Sequence, residues 1–270
     1  GLYKSIEVIS LYGKKRKISN EDIEGIDVIV FDIQDVGVRF YTYLSTLHYA
    51  MEASSRTNKK IIILDRPNPN SFYIDGPVLE IENSSFIGLH PVPIVYGMTI
   101  GEYGKMINGE GWLENKTKAN LEVIRIKNYN HNLKYEPPVR PSPNLPNLQS
   151  IYLYPSLAFL EKTEVSVGRG TKIQFQIYGH PNFISDFSFT PMPNFGSQYP
   201  KLNGKLSFGE DLRNYKTKDK IELKWLIKSY NQISDKTKFF RSDFDKLSGI
   251  SNLKKQISET TEKIIKNKEK

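Results

Sequence analysis

The densest group of chemically useful side chains lies in the run FDIQDVGVRFYTY, residues 31–43. It offers a carboxylate at Asp35, a guanidinium at Arg39 and a phenol at Tyr41, and the predicted turn between strand and helix places all three on the rim of the sheet. A carboxylate can act as a base or stabilise an oxocarbenium ion, a guanidinium binds an anionic group bidentately, and a phenol donates a hydrogen bond. The combination fits sugar chemistry. An Asp–Arg pair that only holds a turn fits the same residues equally well.

Two further segments carry candidate site residues. Asp65, Arg66 and Asn68 lie in the run DRPNP, a polar loop fixed by two prolines, although an Asx turn would explain the aspartate and the asparagine as well. Arg169 lies between two glycines and could clamp an anion, although a simple β-turn is at least as compatible with this spacing. Glu161 is a candidate catalytic carboxylate, although a lone glutamate at a helix end is more often solvated.

The composition excludes several classes of site. The chain has 270 residues and no cysteine, and its four histidines lack the spacing of metal ligands, so neither thiolate chemistry nor a metal site is expected. No GxGxxG run follows a predicted strand and no GxSxG run is present, which disfavours a dinucleotide cofactor and an α/β-hydrolase. We therefore expect no metal and no cofactor.

The net charge of +8 does not indicate a nucleic-acid partner. Residues 214–270 contain 15 Lys and Arg against 8 Asp and Glu, so this segment holds +7 of the +8. Lysines mixed with acidic residues are typical of solvated helix faces. No apolar run reaches the ~20 residues of a membrane-spanning helix. No feature of the sequence indicates an oligomeric state.

The elements that must position these residues follow an α/β pattern in the first half. Two apolar runs, residues 26–33 and 60–64, predict buried parallel strands, and helical spacing over residues 42–56 predicts the connecting helix. Asp32, Asp35 and Asp65 then lie at the carboxyl ends of the strands, where open α/β sheets bind ligands. Thr99 and Glu102 have the spacing of a capping box at a helix start, and a strand is predicted over residues 121–126.

The proline-rich segment 137–146 separates this half from a second one. There the pattern predicts a short helix over residues 155–160, a strand over 172–178, and amphipathic helices over 221–233 and 252–270. The sequence thus predicts an α/β lobe, residues 1–136, and a smaller α+β lobe, residues 137–270.

Seven segments, taken in order, resemble one known family. The resemblance extends from about Ser10 to about Gly249, and the family is that of the exo-β-N-acetylmuramidases of the NamZ type, glycoside hydrolase family 171, formerly a domain of unknown function. The matching segments are SLYG (10–13), VFDIQDVGVRFYTY (30–43), LDRPNP (64–69), DGPVL (75–79), YGMTIGE (96–102), PSPNLP (141–146) and SVGRGT (166–171).

The resemblance implies a Rossmann-like parallel-sheet lobe, incomplete at its N-terminus, and a C-terminal lobe, with the active site in the cleft between them. It also implies release of terminal β-linked N-acetylmuramic acid from peptidoglycan fragments outside the cytoplasm. Because that sugar carries a lactyl carboxylate, either Arg39 or Arg169 is predicted to bind it. Asp32, Tyr41, Asp65, Arg66 and Asn68 are further predicted substrate contacts.

One departure from the family affects the predicted chemistry. The family's catalytic glutamate lies in a Gly-Pro-Glu-His segment upstream of the first matching motif, and this sequence has no such segment. Asp35 is therefore the first candidate for the partner carboxylate and Glu161 the second. The alternatives are a muropeptide-binding module without catalysis and, supported only by the strand–helix–strand pattern, a nucleotide-binding protein.

Overall fold

A parallel sheet forms the centre of the first half of the chain. The structure, a computed structural model, describes residues 2–4 and 6–268. After a short antiparallel pair, β1 (Leu2–Tyr3) and β2 (Ile6–Glu7), come the three parallel strands β3 (Val28–Phe31), β4 (Lys60–Leu64) and β5 (Asn120–Ile124). They pair in the order β3-β4-β5, which confirms the predicted parallel sheet. The predicted burial of the first strand is wrong, because β3 lies at the edge of this sheet and its Val28 and Val30 are exposed.

Two helices pack on this sheet and enclose the first core. They are α1 (Tyr43–Thr57) and α2 (Ile100–Gly109), and Leu47 and Ile63 are among the residues that they and the sheet bury completely. The predicted capping box of α2 is confirmed: the Thr99 hydroxyl accepts from the Glu102 amide at 3.2 Å, and the Glu102 carboxylate accepts from the Thr99 amide at 2.9 Å. The cap fixes where α2 begins, at the carboxyl end of β4.

The second half contains a smaller antiparallel sheet. Helix α3 (Leu148–Leu157) continues into a 3-10 turn (Ala158–Lys162), and the strands β6 (Ile177–His180), β7 (Phe187–Phe189) and β8 (Ser207–Asp211) follow. They pair in the order β6-β8-β7. The α/β class with a Rossmann-like sheet and a smaller α+β lobe is thereby confirmed.

Four helices complete the chain. They are α4 (Lys224–Gln232), α5 (Lys236–Phe239), α6 (Phe244–Ser248) and α7 (Leu253–Lys268). Helices α4 and α7 confirm the two helices predicted there, and residues 269 and 270 of the second prediction lie outside the described residues. Within residues 2–4 and 6–268, no helix combines the length and the apolar composition needed to cross a membrane.

Two predicted elements of the second half are wrong in extent. The strand begins at Ile177 and not at residue 172, because Phe175 has a left-handed φ of 54° and its amide donates to the Val167 carbonyl at 2.8 Å. Such a turn interrupts an extended strand even where the apolar residues alternate.

The helix predicted over residues 155–160 begins at Leu148, because the Asn147 side chain caps it by accepting from the Ser150 amide at 3.0 Å. Pro155 lies inside this helix and has no amide proton for the Ile151 carbonyl one turn back. The Asn70 side-chain amide donates to that carbonyl at 3.4 Å and replaces part of the missing bond.

The second core takes residues from both halves. Val36, Val38, Phe40, Ile94 and Val95 come from the first half, and all five are at most 3% exposed among side chains of α3, α4 and α6. The predicted division between residues 136 and 137 stays a prediction, but this core lies across it.

Polar contacts also join the halves. The Ile221 amide donates to the Asp75 carboxylate at 2.6 Å, and the Glu80 amide donates to the Gly249 carbonyl at 2.8 Å. Each of these contacts links a loop of the first half to the last third of the chain.

Candidate active site

A cleft of about 400 Å³ lies between the start of α1, the proline-rich segment and the 3-10 turn after α3. Five of the residues that line it are aromatic, and Glu161 is the acidic residue among them. The lining residues are Tyr12, Phe40, Tyr41, Thr42, Tyr43, Ile87, Ser142, Asn144, Tyr154, Glu161, Lys162, Arg169 and Leu247. Three of the residues predicted from the sequence, Tyr41, Glu161 and Arg169, therefore meet in one place.

Glu161 and Arg169 form a bidentate ion pair in this cleft. Nε of Arg169 donates to Oε1 of Glu161 at 2.5 Å, and Nη2 donates to Oε2 at 2.9 Å. The side chains are 24% and 32% exposed, so a ligand in the cleft can reach both. Burial opposes the charge of Arg169, but the Glu161 carboxylate outweighs it and raises the pKa of the guanidinium.

The ion pair leaves one edge of the guanidinium available. Glu161 occupies Nε and one proton of Nη2, whereas Nη1 donates no hydrogen bond to any described residue. Nη1 and the second proton of Nη2 form another fork that matches a carboxylate. Arg169 can therefore bind a second anionic group while it keeps Glu161.

The backbone around Arg169 requires its two glycines. Gly168 and Gly170 have φ values of 78° and 82°. A Cβ atom on Gly170 would lie 2.6 Å from the Met192 carbonyl oxygen and 2.7 Å from Pro200. Gly170 thus permits a close approach of the loop 190–200, whose Met192 amide donates to the Gly170 carbonyl at 3.0 Å next to Arg169.

Two tyrosines fix the proline-rich wall of the cleft. The Tyr41 hydroxyl donates to the Pro141 carbonyl at 2.9 Å, and the Tyr43 hydroxyl donates to the same oxygen at 3.4 Å. The two rings meet edge to face, with centroids 4.9 Å apart. Burial raises the pKa of the Tyr41 phenol, so it remains a neutral donor at physiological pH.

Lys201 holds the turn that carries Glu161. Its ammonium donates to the carbonyl oxygens of Leu160 (3.0 Å), Glu161 (3.2 Å), Thr163 (2.6 Å) and Val165 (2.9 Å). Removal of this ammonium from water lowers the pKa of Lys201 to about 7, although the nearby Glu161 carboxylate acts in the opposite direction. The sequence contains no signal for this residue, because carbonyl acceptors are common to every position in a chain.

Asp35 does not lie at an accessible rim, and that expectation from the sequence is wrong. It is 3% exposed, and its Oδ2 accepts from the Gly37 amide at 2.6 Å and from the Tyr96 hydroxyl. Its Oδ1 is buried and has no partner among the described residues. Burial raises the pKa of Asp35 to about 6 against the opposing effect of the Tyr96 and Gly37 hydrogen bonds.

Arg39 is also buried, at 1% exposure, and not at the rim. Its Nη1 donates to the carbonyls of Pro77 (2.9 Å) and Val92 (2.8 Å), and its Nη2 donates to that of Ser248 (2.8 Å). Both residues turn inward because the chain after β3 pairs with the segment around Val95 instead of ending at the surface. Of the two predicted carboxylate-binding arginines, Arg169 is the one that lines the cleft.

The remaining predicted site residues lie elsewhere. Asp32 and Arg66 form an ion pair at 2.6 Å in a second cavity of about 330 Å³. Asp65 lines a third cavity and accepts from the Thr99 hydroxyl and the Gly101 amide, both at 2.8 Å. Asn68, at 3% exposure, packs under Gly37 and lines none of these cavities. Among the described residues, no three acidic or histidine side chains are arranged to hold a metal ion.

Substitution of Lys201 tests the support of the Glu161 turn. We expect Lys201→Met to lower the free energy of unfolding by roughly 2–3 kcal/mol, because four carbonyl oxygens lose their shared donor. Urea denaturation measures the change. Lys172→Met, at an exposed position, serves as the matched control. Equal stability of the Lys201 and Lys172 variants would contradict the assigned role.

The pH dependence of stability tests the burial of Asp35. A carboxyl group whose pKa rises from 3.8 to about 6 on folding holds its proton more tightly in the folded chain. Its contribution to stability is therefore present below pH 4 and is lost as the pH rises to 6, a loss of about 3 kcal/mol.

We expect Asp35→Asn to remove this loss, since the amide oxygen can still accept from Tyr96 and Gly37. Urea unfolding between pH 4 and 8 should show a flatter profile than the wild type, whereas Asp27→Asn, at an exposed position, should keep the wild-type profile. A variant that still loses stability over the same pH range would show that Asp35 is not the group responsible.

Comparisons with known proteins identify the family. Residues 2–149 match the family described as exo-beta-N-acetylmuramidase NamZ, N-terminal, and residues 152–270 match its C-terminal counterpart. The chain is 37% identical to the peptidoglycan beta-N-acetylmuramidase NamZ of Bacillus subtilis (strain 168), over 98% of this chain and 69% of that protein.

Two solved structures from Bacteroides fragilis, both of DUF1343 family proteins, share the fold. One superposes with a TM-score of 0.88 at 43% identity, over 91% of this chain and 71% of that one. The other gives a TM-score of 0.76 at 26% identity, over 93% and 72%. With both halves matched and this identity to a relative, the chain belongs to the exo-β-N-acetylmuramidase NamZ family.

Proposed function

We propose that this protein is an exo-acting glycoside hydrolase that releases terminal β-linked N-acetylmuramic acid from peptidoglycan fragments. The observation that carries the proposal is the Glu161–Arg169 pair in an aromatic cleft of a chain that belongs to this family. Its Bacillus subtilis relative is named as a peptidoglycan beta-N-acetylmuramidase. A cleft of about 400 Å³ is within the range of small-molecule sites.

The free edge of Arg169 explains how the site would distinguish muramic acid from glucosamine. The two sugars differ by the lactyl ether of muramic acid, which ends in a carboxylate. A planar guanidinium binds a carboxylate through two parallel hydrogen bonds, which an ammonium group cannot reproduce. We assign the lactyl carboxylate to the Nη1–Nη2 edge of Arg169.

The aromatic wall suits the rest of the sugar. Phe40, Tyr41, Tyr43 and Tyr154 give the cleft apolar faces, and Ser142 and Asn144 give it hydrogen-bonding groups. A pyranose ring has apolar C–H faces and a hydroxylated rim, so both kinds of surface find a partner. Because such a wall excludes water, the ionic contacts inside the cleft are stronger than they would be in water.

Glu161 is the carboxylate that we place beside the reacting bond. Glycosidases use a pair of carboxyl groups, one to donate a proton and one to stabilise or attack the oxocarbenium-like centre. Because Arg169 contacts both Glu161 and, as proposed, the lactyl carboxylate, it fixes the sugar relative to Glu161. The catalytic role predicted for Asp35 stays a prediction, and its buried carboxyl group does not line the cleft.

Hydrolysis of a chromogenic β-N-acetylmuramide, with the glucosaminide for comparison, tests the proposal. The assay is run on this polypeptide and on the polypeptide that the full reading frame of its gene encodes. We expect the chromophore to be released from the muramide and not from the glucosaminide. Binding of the muramide without turnover by either polypeptide would instead support the muropeptide-binding module.

Two substitutions test the assigned roles. Arg169→Lys should lower kcat/KM for the muramide by about 30- to 100-fold, the equivalent of about 2–3 kcal/mol for a lost charged hydrogen bond, and should lower any residual glucosaminide activity much less. Glu161→Gln keeps the shape but loses the charge, and should lower kcat by at least ~100-fold.

Arg213→Lys is the matched control, because Arg213 forms a similar bidentate pair with Asp211 outside the cleft. It should leave the kinetics unchanged. An equal loss of activity on the two sugars in Arg169→Lys would contradict the lactyl assignment.

We propose further that the protein acts outside the cytoplasm, because its proposed substrate derives from the cell wall. Fractionation of the producing cells with an antibody to this chain tests the location. The protein should be found in the extracytoplasmic fraction, and recovery with a cytoplasmic marker enzyme would contradict the proposal.

A further inference from the structure

A second cavity adjoins the cleft and shares a wall with it. This cavity, of about 330 Å³, is lined by Asp32, Gln34, Tyr43, Arg66 and the segment 138–141. Tyr43 lines both cavities, and the neighbouring residues Pro141 and Ser142 line one each. The hydrogen bonds of Tyr41 and Tyr43 to the Pro141 carbonyl fix this common wall.

The second cavity carries an uncompensated positive charge. Asp32 neutralises Arg66, with Oδ1 of Asp32 at 2.7 Å from Nε and 2.6 Å from Nη2. Arg140 forms no hydrogen bond and no ion pair with any residue in the described part of the chain. Prolines at 138 and 141 limit the backbone conformations on both sides of Arg140, and its side chain is exposed and therefore open to a ligand.

Gln34 forms a fixed part of the wall of the same cavity. The Gln34 side-chain amide donates to the carbonyls of Asp35 (2.7 Å) and Pro67 (2.9 Å), which fixes its orientation. Its Oε1 is buried and accepts no hydrogen bond from the described residues. Because this oxygen is covered, Gln34 contributes a fixed wall to the cavity and not a contact to a ligand.

The charge pattern of the two cavities matches an alternating polymer. In a glycan strand of peptidoglycan whose stem peptides have been removed, every second sugar bears a free lactyl carboxylate, and the sugars between them bear none. The cleft offers Arg169 and the second cavity offers Arg140, with the half-buried ring of Tyr43 between them. If a glycan strand places one muramic acid at Arg169, the uncharged sugar that follows it would lie against Tyr43.

We propose that the second cavity binds the lactyl carboxylate of the next muramic acid along the strand, two sugars beyond the one released. This inference rests on the proposed function. A contact in the second cavity would make a glycan of three or more sugars a better substrate than a disaccharide. Arg140 is then a specificity residue that contacts the part of the substrate retained in the product.

Kinetics on substrates of different length test this proposal. They are the chromogenic muramide, the disaccharide of muramic acid and glucosamine, the corresponding tetrasaccharide, and a tetrasaccharide whose inner lactyl group is amidated. We expect the wild type to have at least ~10-fold higher kcat/KM on the tetrasaccharide than on the disaccharide, a difference of about 1.4 kcal/mol. Amidation of the inner carboxylate should abolish the difference.

Arg140→Gln should lower kcat/KM on the tetrasaccharide to its value on the disaccharide. It should leave kcat/KM on the chromogenic muramide unchanged. Arg125→Gln is the matched control, because Arg125 is exposed and lines the third cavity, which lacks the shared wall. It should preserve the preference for the longer glycan.

The outcomes separate this inference from the proposed function. Equal kcat/KM on the two glycans, or an equal loss on every substrate in Arg140→Gln, would overturn the second-cavity assignment while muramide hydrolysis remained. An amidated tetrasaccharide that reacts as fast as the free acid would also overturn it. No hydrolysis of the muramide would contradict the proposed function and this inference together.

Discussion

The buried guanidinium of Arg39 is the interaction on which the architecture depends. Burial lowers the pKa of Arg39 only to about 10, so the side chain stays charged at neutral pH. Three carbonyl oxygens from distant parts of the sequence must therefore surround it. An uncompensated buried charge costs several kcal/mol, which makes the positions of these three segments mutually dependent.

The backbone near Arg39 follows from this requirement. A Cβ atom on Gly249 would lie 2.2 Å from Nη2 of Arg39, and the residue has a left-handed φ of 81°. Only a glycine permits the chain to pass so close in that conformation. The Ser248 carbonyl can then reach the guanidinium, and α6 ends at that point.

The first half of the fold could be predicted because its signals are local. Apolar runs identified β3 and β4, an alternating segment identified β5, and the Thr99–Glu102 spacing located α2. The second half was harder, since the left-handed turn at Phe175 depends on a contact with Val167. The Asn147–Ser150 cap is local, but it begins a helix that contains Pro155, a residue that normally ends one. For the site, residue type predicted Glu161 and Arg169 but could not separate Arg169 from Arg39. The two arginines have the same chemistry, and only the tertiary fold determines which one is buried.

The shared second core and the contacts that join the halves have a consequence for how the molecule unfolds. Residues around Val38 are buried by side chains of the second half, and the Asn70 amide donates to the proline-containing helix α3. Separation of the halves would expose this apolar surface and leave buried polar groups unpaired. The halves should therefore melt in one cooperative step, and a protease should find no resistant half to release. Substrate selection must then come from a preformed surface and not from the closing of one half upon the other about a hinge.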